Sequence, residues 1–255
     1  MKYIFIFLFF IILLLAKKLL AHTKRQTIFL ATDRPFVPPH NTHEIVILWD
    51  IHGVIFKKNI INWFLKILTS GYLFSVIRKL DWATTLLLLK YTGKKLGLLS
   101  EEITNQEFLN CASRSKNQAL INLTIKISCE YKLNKSVLNL IEHLNRKGYV
   151  QHIGSNIGKD VFEKFASQHH TVFQYFTAIH IINTKESHTF NKKPNQGFFY
   201  NYLQKHAHEL RGKQIIFIDD QLQNVLSAQF CGINAILFCH INQLKQDLNL
   251  LLRAC

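Results

Sequence analysis

The sequence predicts an α/β fold, a Rossmann-like three-layer α/β/α sandwich built on a parallel sheet, with a helical cap inserted into it. Three observations carry that reading. The apolar run Ile45-Val46-Ile47-Leu48-Trp49 ends in Asp50, and Gly53 follows where the chain must turn away. Such a run reads as a core strand of a parallel sheet, and glycine permits the tight turn after it. From residue 136 onward, helical periodicity alternates with short apolar runs, the rhythm of strand–helix crossovers. Acids and small polar residues fall at the strand ends, where open α/β sheets bind ligands.

The elements follow in order. Residues 45–50 form the first strand. Residues 57–130 hold no comparable strand with an acid at its end, and Ile60, Ile61, Phe64, Leu65 and Leu68 recur at helical spacing. Ser100-Glu101-Glu102 suits a helix start, with acids in the first turn. This block is the cap. Its segments 71–77 and 85–89 are very apolar, which fits core packing or a surface for lipid or an apolar substrate.

Ser136 is expected to cap a helix with Val137, Leu140, Ile141 and Leu144 on one face, ending at Gly148. A strand over 150–153 then ends in Gly154-Ser155-Asn156. A helix over 159–167 is expected to bury Val161, Phe162 and Phe165, and a strand over 178–182 follows. Pro194 suits a helix start, with Phe198, Phe199 and Leu203 inward. Strand 214–218 runs into Asp219-Asp220, then come a helix over 224–230 and a strand over 235–238. The core thus comprises 44–56 and 131–255.

The N-terminus differs in kind. Lys2 precedes an unbroken apolar run from Tyr3 to Ala16, then Lys17-Lys18-Leu19-Leu20-Ala21. The run is shorter than a full span, resembles a signal-peptide core, and has no polar face. Residues 1–21 are therefore expected to be a signal peptide or an uncleaved anchor whose lysines snorkel, placing the protein in export or at a membrane. Residues 22–43, rich in prolines and other breakers, read as a linker.

With 255 residues and 48% apolar content, the chain can bury a substantial core. Its net charge of +15 favours anionic partners. No basic cluster alternates with aromatics and no zinc-finger spacing occurs, so a nucleic-acid role is not expected. Five scattered cysteines without a Cys-x-x-Cys pair argue against a disulfide framework and a structural zinc site. Cys231 and Cys239 are expected to be small core residues.

Four groups stand at strand ends or helix starts: Asp50, Ser155-Asn156, Lys193-Pro194 and Asp219-Asp220. Together they suit phosphoryl transfer. Asp50 is a candidate nucleophile, metal ligand or both. Asp219 or Asp220 with Asp50 offers hard oxygen ligands for magnesium. Ser155 and nearby amides suit phosphate oxygens, and Lys193 suits the charge on nucleophile and phosphate. Each also has a plainer reading. Lysines are ordinarily solvated, and Ser155, Asn156 and either acid of the pair suit helix caps. The twelve histidines other than His52 lack a partner at metal spacing and are expected on the surface.

In this order, over roughly 45–240, the chain resembles the haloacid dehalogenase-like (HAD) hydrolase superfamily. The motifs are the apolar run with Asp50-x-x-Gly53-Val54, the strand ending in Ser155-Asn156, Lys193-Pro194 with Phe198-Phe199, and Ile218-Asp219-Asp220 with Asn224 and Ala228 beyond. The helical block stands where that family inserts its cap. The resemblance implies an aspartyl-enzyme intermediate on Asp50, usually Mg2+, and a small phosphorylated substrate, since most members are phosphatases. It also implies that the main-chain carbonyl of residue 52 reaches the metal.

The family's phosphatases carry a second aspartate as general acid/base where this chain has His52. Either His52 takes over the proton transfer, which an ordinary pKa near 6.5 suits, or the site uses its intermediate differently, as dehalogenases do. The third reading is a degenerate site, leaving a binding protein tethered to a membrane.

Overall fold

Strand β1 (Ile45–Trp49) is buried along its whole length, so it needs neighbours at both edges and a layer on each face. It has them. β4 (Val150–Gly158) pairs with it on one side and β6 (Gln214–Asp219) on the other, both parallel. β5 (Ala178–Ile182) and β7 (Asn234–Leu237) complete a five-stranded sheet in the order β5-β4-β1-β6-β7. The chain leaves β1 outward on one side and returns to build the other. That makes β1 the switch point, and the crevice beyond its carboxyl end the natural ligand site.

The computed structural model describes residues 44–58, 131–182 and 191–253. The N-terminal segment, the linker, residues 59–130 of the expected cap, and Cys111, Cys129 and Cys255 lie outside the described residues. Among the described residues, no helix is long and apolar enough to cross a membrane.

Alternation along β1 sends Val46 and Leu48 to one face and Ile45, Ile47 and Trp49 to the other. On the first face Val46, Leu48 and Phe217 pack with Phe198, Phe199 and Tyr202 of helix α4 (Gln196–Lys205) and Ala228 of α6 (Leu222–Phe230). On the second, Trp49 Nε1 donates to Gln151 Oε1 at 3.1 Å, and Gln151 Nε2 donates to the carbonyl of Ile141 at 3.0 Å. Ile141 belongs to α1 (Lys135–Arg146). A buried glutamine thus joins sheet to helix with both polar ends satisfied, which avoids the cost of an unmet buried polar group.

Several elements depart from expectation for visible reasons. Helix α1 buries the four apolar residues expected of it, but Asn134 rather than Ser136 stands at its N-cap. The Asn134 side chain instead donates to the carbonyl of Val54 at 3.2 Å. β4 continues past residue 153 through Ser155-Asn156 to Gly158, with a register shift against β5 between Ser155 and Gly158. α4 starts after Pro194, where the Asn195 side chain accepts from the amide of Gly197. Tyr202 is fully buried on its inner face, and Leu203 is partly buried against the same core. Cys231 is half-buried and packs against the core; Cys239 is exposed, so the expectation that it is a core residue is corrected. It lies in the short connection after β7.

A small antiparallel pair is also present. β2 (Phe56–Lys58) meets β3 (Tyr131–Leu133), with Phe56 opposite Leu133. The amide of Asn134 donates to the carbonyl of Ile55 at 2.9 Å, tying this pair to the loop after β1. The remaining helices are α2 (Lys159–Gln168), α3 (His170–Phe173), α5 (Ala207–Leu210) and α7 (Ile241–Arg253). As expected, Val161, Phe162 and Phe165 of α2 are buried.

Candidate active site

Asp50 is the first residue beyond β1. Its amide donates to the carbonyl of Ile218 at 2.9 Å, which sets it level with the end of β6. Asp219 is the last residue of β6 and fully buried; Asp220 follows and is exposed. Parallel pairing of β1 and β6 therefore delivers the three carboxylates to one place, each offering an oxygen within 4.8 Å of the others. The turn at Gly53 makes this possible. With φ +100° and no side chain, it leaves the space that Asp220 occupies.

Lys193 is buried between them. Its Nζ donates to Asp50 Oδ1 at 2.8 Å, to Asp219 Oδ2 at 2.7 Å and to the carbonyl of Gly154 at 2.9 Å. All three ammonium protons are thus engaged. Asp219 is held further by Asn224 Nδ2, 3.0 Å from each of its oxygens, and by the amide of Gln221 at 2.8 Å.

These surroundings set the charges. Burial raises the pKa of Asp50 to about 7; Lys193 pulls it down, and Asp219 and Asp220 push it up. Burial alone would lower the pKa of Lys193, but Asp219 and Asp50 outweigh it and hold the ammonium firmly protonated. The cluster therefore sets a carboxylate of raised pKa beside a cation that stays protonated.

Ser155 lies buried on β4. Its neighbour Asn156 accepts from the amide of Lys193 at 2.8 Å and donates Nδ2 to the Lys193 carbonyl at 2.7 Å. The ring of His52 stacks on Tyr131 of β3, with centroids 4.3 Å apart, and lies 5.9 Å from the Phe165 ring. The sequence-predicted residues Asp50, Lys193, Asp219 and Asp220 are thus brought together, and Asn156 joins them through Lys193. Gly154, Gln221 and Asn224 were not singled out for their contacts. The first two act through the main chain, which side-chain identity does not reveal. Asn224 lies in the first turn of α6, with its side chain on Asp219.

The expectation that the other histidines are surface residues is corrected for two. His152 and His180 are buried, because they sit inside strands of a sheet covered on both faces. His152 bonds Tyr202 Oη through Nδ1 at 2.8 Å and Glu209 Oε1 through Nε2 at 3.0 Å. His180 packs edge-on against Tyr202, and His206 lies tilted beside it. Burial lowers the pKa of all three histidines, that of His180 to about 4.

A protein-family model described as haloacid dehalogenase-like hydrolase matches residues 89–238, more than half of the chain. The chain belongs to this family. The HAD hydrolase match takes in Ser155, Asn156, Lys193, Asp219 and Asp220 and begins after Asp50 and His52. Comparison with curated proteins gives no significant match.

Solved HAD structures similar to the chain include a HAD family enzyme from Bacteroides thetaiotaomicron, at 20% identity and TM-score 0.49, covering 74% of this chain and 90% of that one. The magnesium-bound HAD-hydrolase YfnB from Bacillus subtilis is similar at 15% identity and TM-score 0.47, covering 74% and 84%. L-2-haloacid dehalogenase from Xanthobacter autotrophicus is similar at 11% identity and TM-score 0.46, covering 74% and 75%.

Proposed function

We propose that this HAD hydrolase is a magnesium-dependent phosphatase that works through an aspartyl-phosphate on Asp50. The observation that carries the reading is the buried Lys193 ammonium, bonded at once to Asp50 and Asp219 beside a third carboxylate.

The residues fit a divalent cation. Three carboxylates within 4.8 Å repel one another, and the raised pKa of Asp50 records part of that repulsion. Asp50, Asp220 and the main-chain carbonyl of His52 would hold the ion, with Asp219 behind them. When bound, Mg2+ supplies charge neutralisation for the nucleophile and the phosphoryl oxygens.

The chain's own groups do the rest. An oxygen of Asp50 attacks phosphorus, and the bond to the ester oxygen breaks. That oxygen leaves with the electron pair and takes a proton from His52, the side-chain type suited to proton transfer near neutral pH. Ser155 holds the phosphoryl group, and the nearby Lys193 ammonium offsets its charge. Water then attacks phosphorus, giving a proton to His52. The bond to Asp50 breaks, phosphate leaves and the carboxylate is restored. The net charge of +15 favours a small phosphorylated substrate over a neutral one.

The apolar run from Tyr3 to Ala16 between lysines supports export or membrane anchoring. Fractionation of cells carrying a C-terminally tagged chain tests this, and a soluble cytosolic protein retaining Met1 would overturn it.

Full-length protein in mild detergent should hydrolyse p-nitrophenyl phosphate and lose that activity with EDTA or with Asp50→Asn. Activity indifferent to Asp50→Asn would overturn the mechanism.

One observation favours a second reading. The His52 ring packs as part of an aromatic group with Tyr131 and Phe165, which is what a site that binds without turnover would retain. Beryllium fluoride with Mg2+ separates the two readings, because only an intact nucleophile and cation site forms the complex. Activity that arises only in His52→Asp would favour the binding protein.

A further inference from the structure

Lys193 lies in the irregular stretch before α4, yet its ammonium must meet three acceptors from three strands at once. Such a long side chain gives up much rotamer freedom to do so, and the arrangement holds only if its main chain is also fixed. The geometry points to Asn156 as the positioning residue that fixes it. The Asn156 amide grips Lys193 on both sides of its Cα, accepting from its N–H at 2.8 Å and donating to its carbonyl at 2.7 Å. Two residues earlier on the same strand, the carbonyl of Gly154 accepts from Lys193 Nζ at 2.9 Å. β4 therefore grips the lysine at both ends.

The grip sets a distance that matters. Both ends of Lys193 refer to one strand, and residues 150–153 of that strand pair directly with β1, which ends at Trp49 just before Asp50. The reach from the Lys193 main chain to Asp50 is thereby fixed through β4. The turn closed by the Asn195 amide on the Lys192 carbonyl lies within the same stretch and does not refer it to the sheet. Asn156 thus acts through Lys193 and serves the geometry of the cation.

This assignment rests on the phosphatase reading for its kinetic test but not for its structural one. In the full-length protein, Asn156→Ala should lower kcat for p-nitrophenyl phosphate by about 10–100-fold, the scale of a misplacement near 1 Å, with KM within about twofold. Added to Lys193→Met, it should cost little more, because the group it positions is already gone. A rise in KM at constant kcat, or losses that multiply in the double variant, would overturn the assignment.

If the wild-type protein hydrolyses no phosphate ester, the phosphatase reading fails and the decision moves to the lysine itself. The 15N ammonium resonance of Lys193 should be protected from water exchange in the wild-type chain and exchange-broadened in Asn156→Ala. An unchanged, protected resonance in that variant overturns the assignment whatever the activity, and it also decides the case if Lys193→Met fails to fold.

Discussion

A Cβ placed on Gly53 would lie 2.1 Å from Oδ2 of Asp220 and 2.2 Å from its carboxyl carbon. The turn after β1 and the acid after β6 therefore occupy one space, and the exposed carboxylate reaches the cluster only because residue 53 lacks a side chain. Gly53→Ala must both strain a backbone at φ +100° and push Asp220 away. The strain should cost about 1–3 kcal/mol. The displacement should weaken Mg2+ binding by roughly 10–100-fold, as loss of support around a metal ligand does. Calorimetric titration with Mg2+ and urea denaturation measure the two effects separately. Metal affinity unchanged in a folded variant would show that Asp220 is not held by this contact.

Asp50 illustrates a functional group held at a cost to stability. Its pKa is raised from 3.8 to about 7, chiefly by burial. A group with a raised folded-state pKa supports the fold fully below its unfolded value, and that support is lost as pH rises through the folded value. The carboxylate therefore disfavours folding increasingly from about pH 4 to pH 7, and uniformly above. Asp50→Asn removes that charge. In EDTA the stability of the variant relative to the wild type should rise as pH rises from about 4 to 7, because only the wild type carries a carboxylate whose charge burial disfavours. Chemical denaturation across that range checks it, and a constant difference would place the pKa elsewhere.

The buried histidines carry the opposite sign. His180 falls from 6.5 to about 4, through burial first, then the charges of Lys205, His206 and Lys193; the carbonyl of Phe198 opposes the shift. His152 and His206 are lowered by burial and raised by Glu209, while Lys213 further lowers His152 and Lys205 further lowers His206. Between pH 6.5 and pH 4 the unfolded chain binds more protons here than the folded one, so stability present above pH 6.5 drains away as pH falls. For His180 alone the loss approaches about 3 kcal/mol. In the Asp50→Asn background, where the opposing effect of Asp50 is absent, melting temperature should fall over this interval, and adding His180→Phe should flatten the fall. An equally steep fall in that variant would assign the effect to other groups.

These cases show which parts of the molecule were legible in the sequence. Asp50 was, because a strand buried on both faces writes a continuous apolar run and its terminal acid stands out. Lys193 was legible only by its place in a series, since nothing in a lysine announces burial. Gly154 and Gln221 act through main-chain atoms and leave no mark in residue identity. His152 and His180 were read as surface residues because polarity ordinarily implies exposure, yet the double-covered sheet buries them and Tyr202, Glu209 and His206 receive them. The β2–β3 pair escaped notice because Lys57-Lys58 breaks any apolar alternation and its partner strand is remote in sequence.

Asp219 and Asp220 are adjacent acids with different surroundings, and their isosteric variants should separate cleanly. Asp219 is fully buried and receives donors from Lys193, Asn224 and the amide of Gln221. Its oxygens are occupied by the protein, so its main effect is to hold the ammonium and the start of α6. Asp219→Asn strips Lys193 of one of two buried counter-charges, a change that costs about 3–5 kcal/mol when a buried pair is broken. Asp220 is exposed, and carboxylates in water contribute little to folding. Asp220→Asn should therefore change the urea midpoint little while removing most Mg2+ affinity. Asp219→Asn should lower the midpoint strongly. The reverse pattern, with Asp219→Asn stable but unable to bind Mg2+, would make Asp219 the principal cation ligand and Asp220 the bystander.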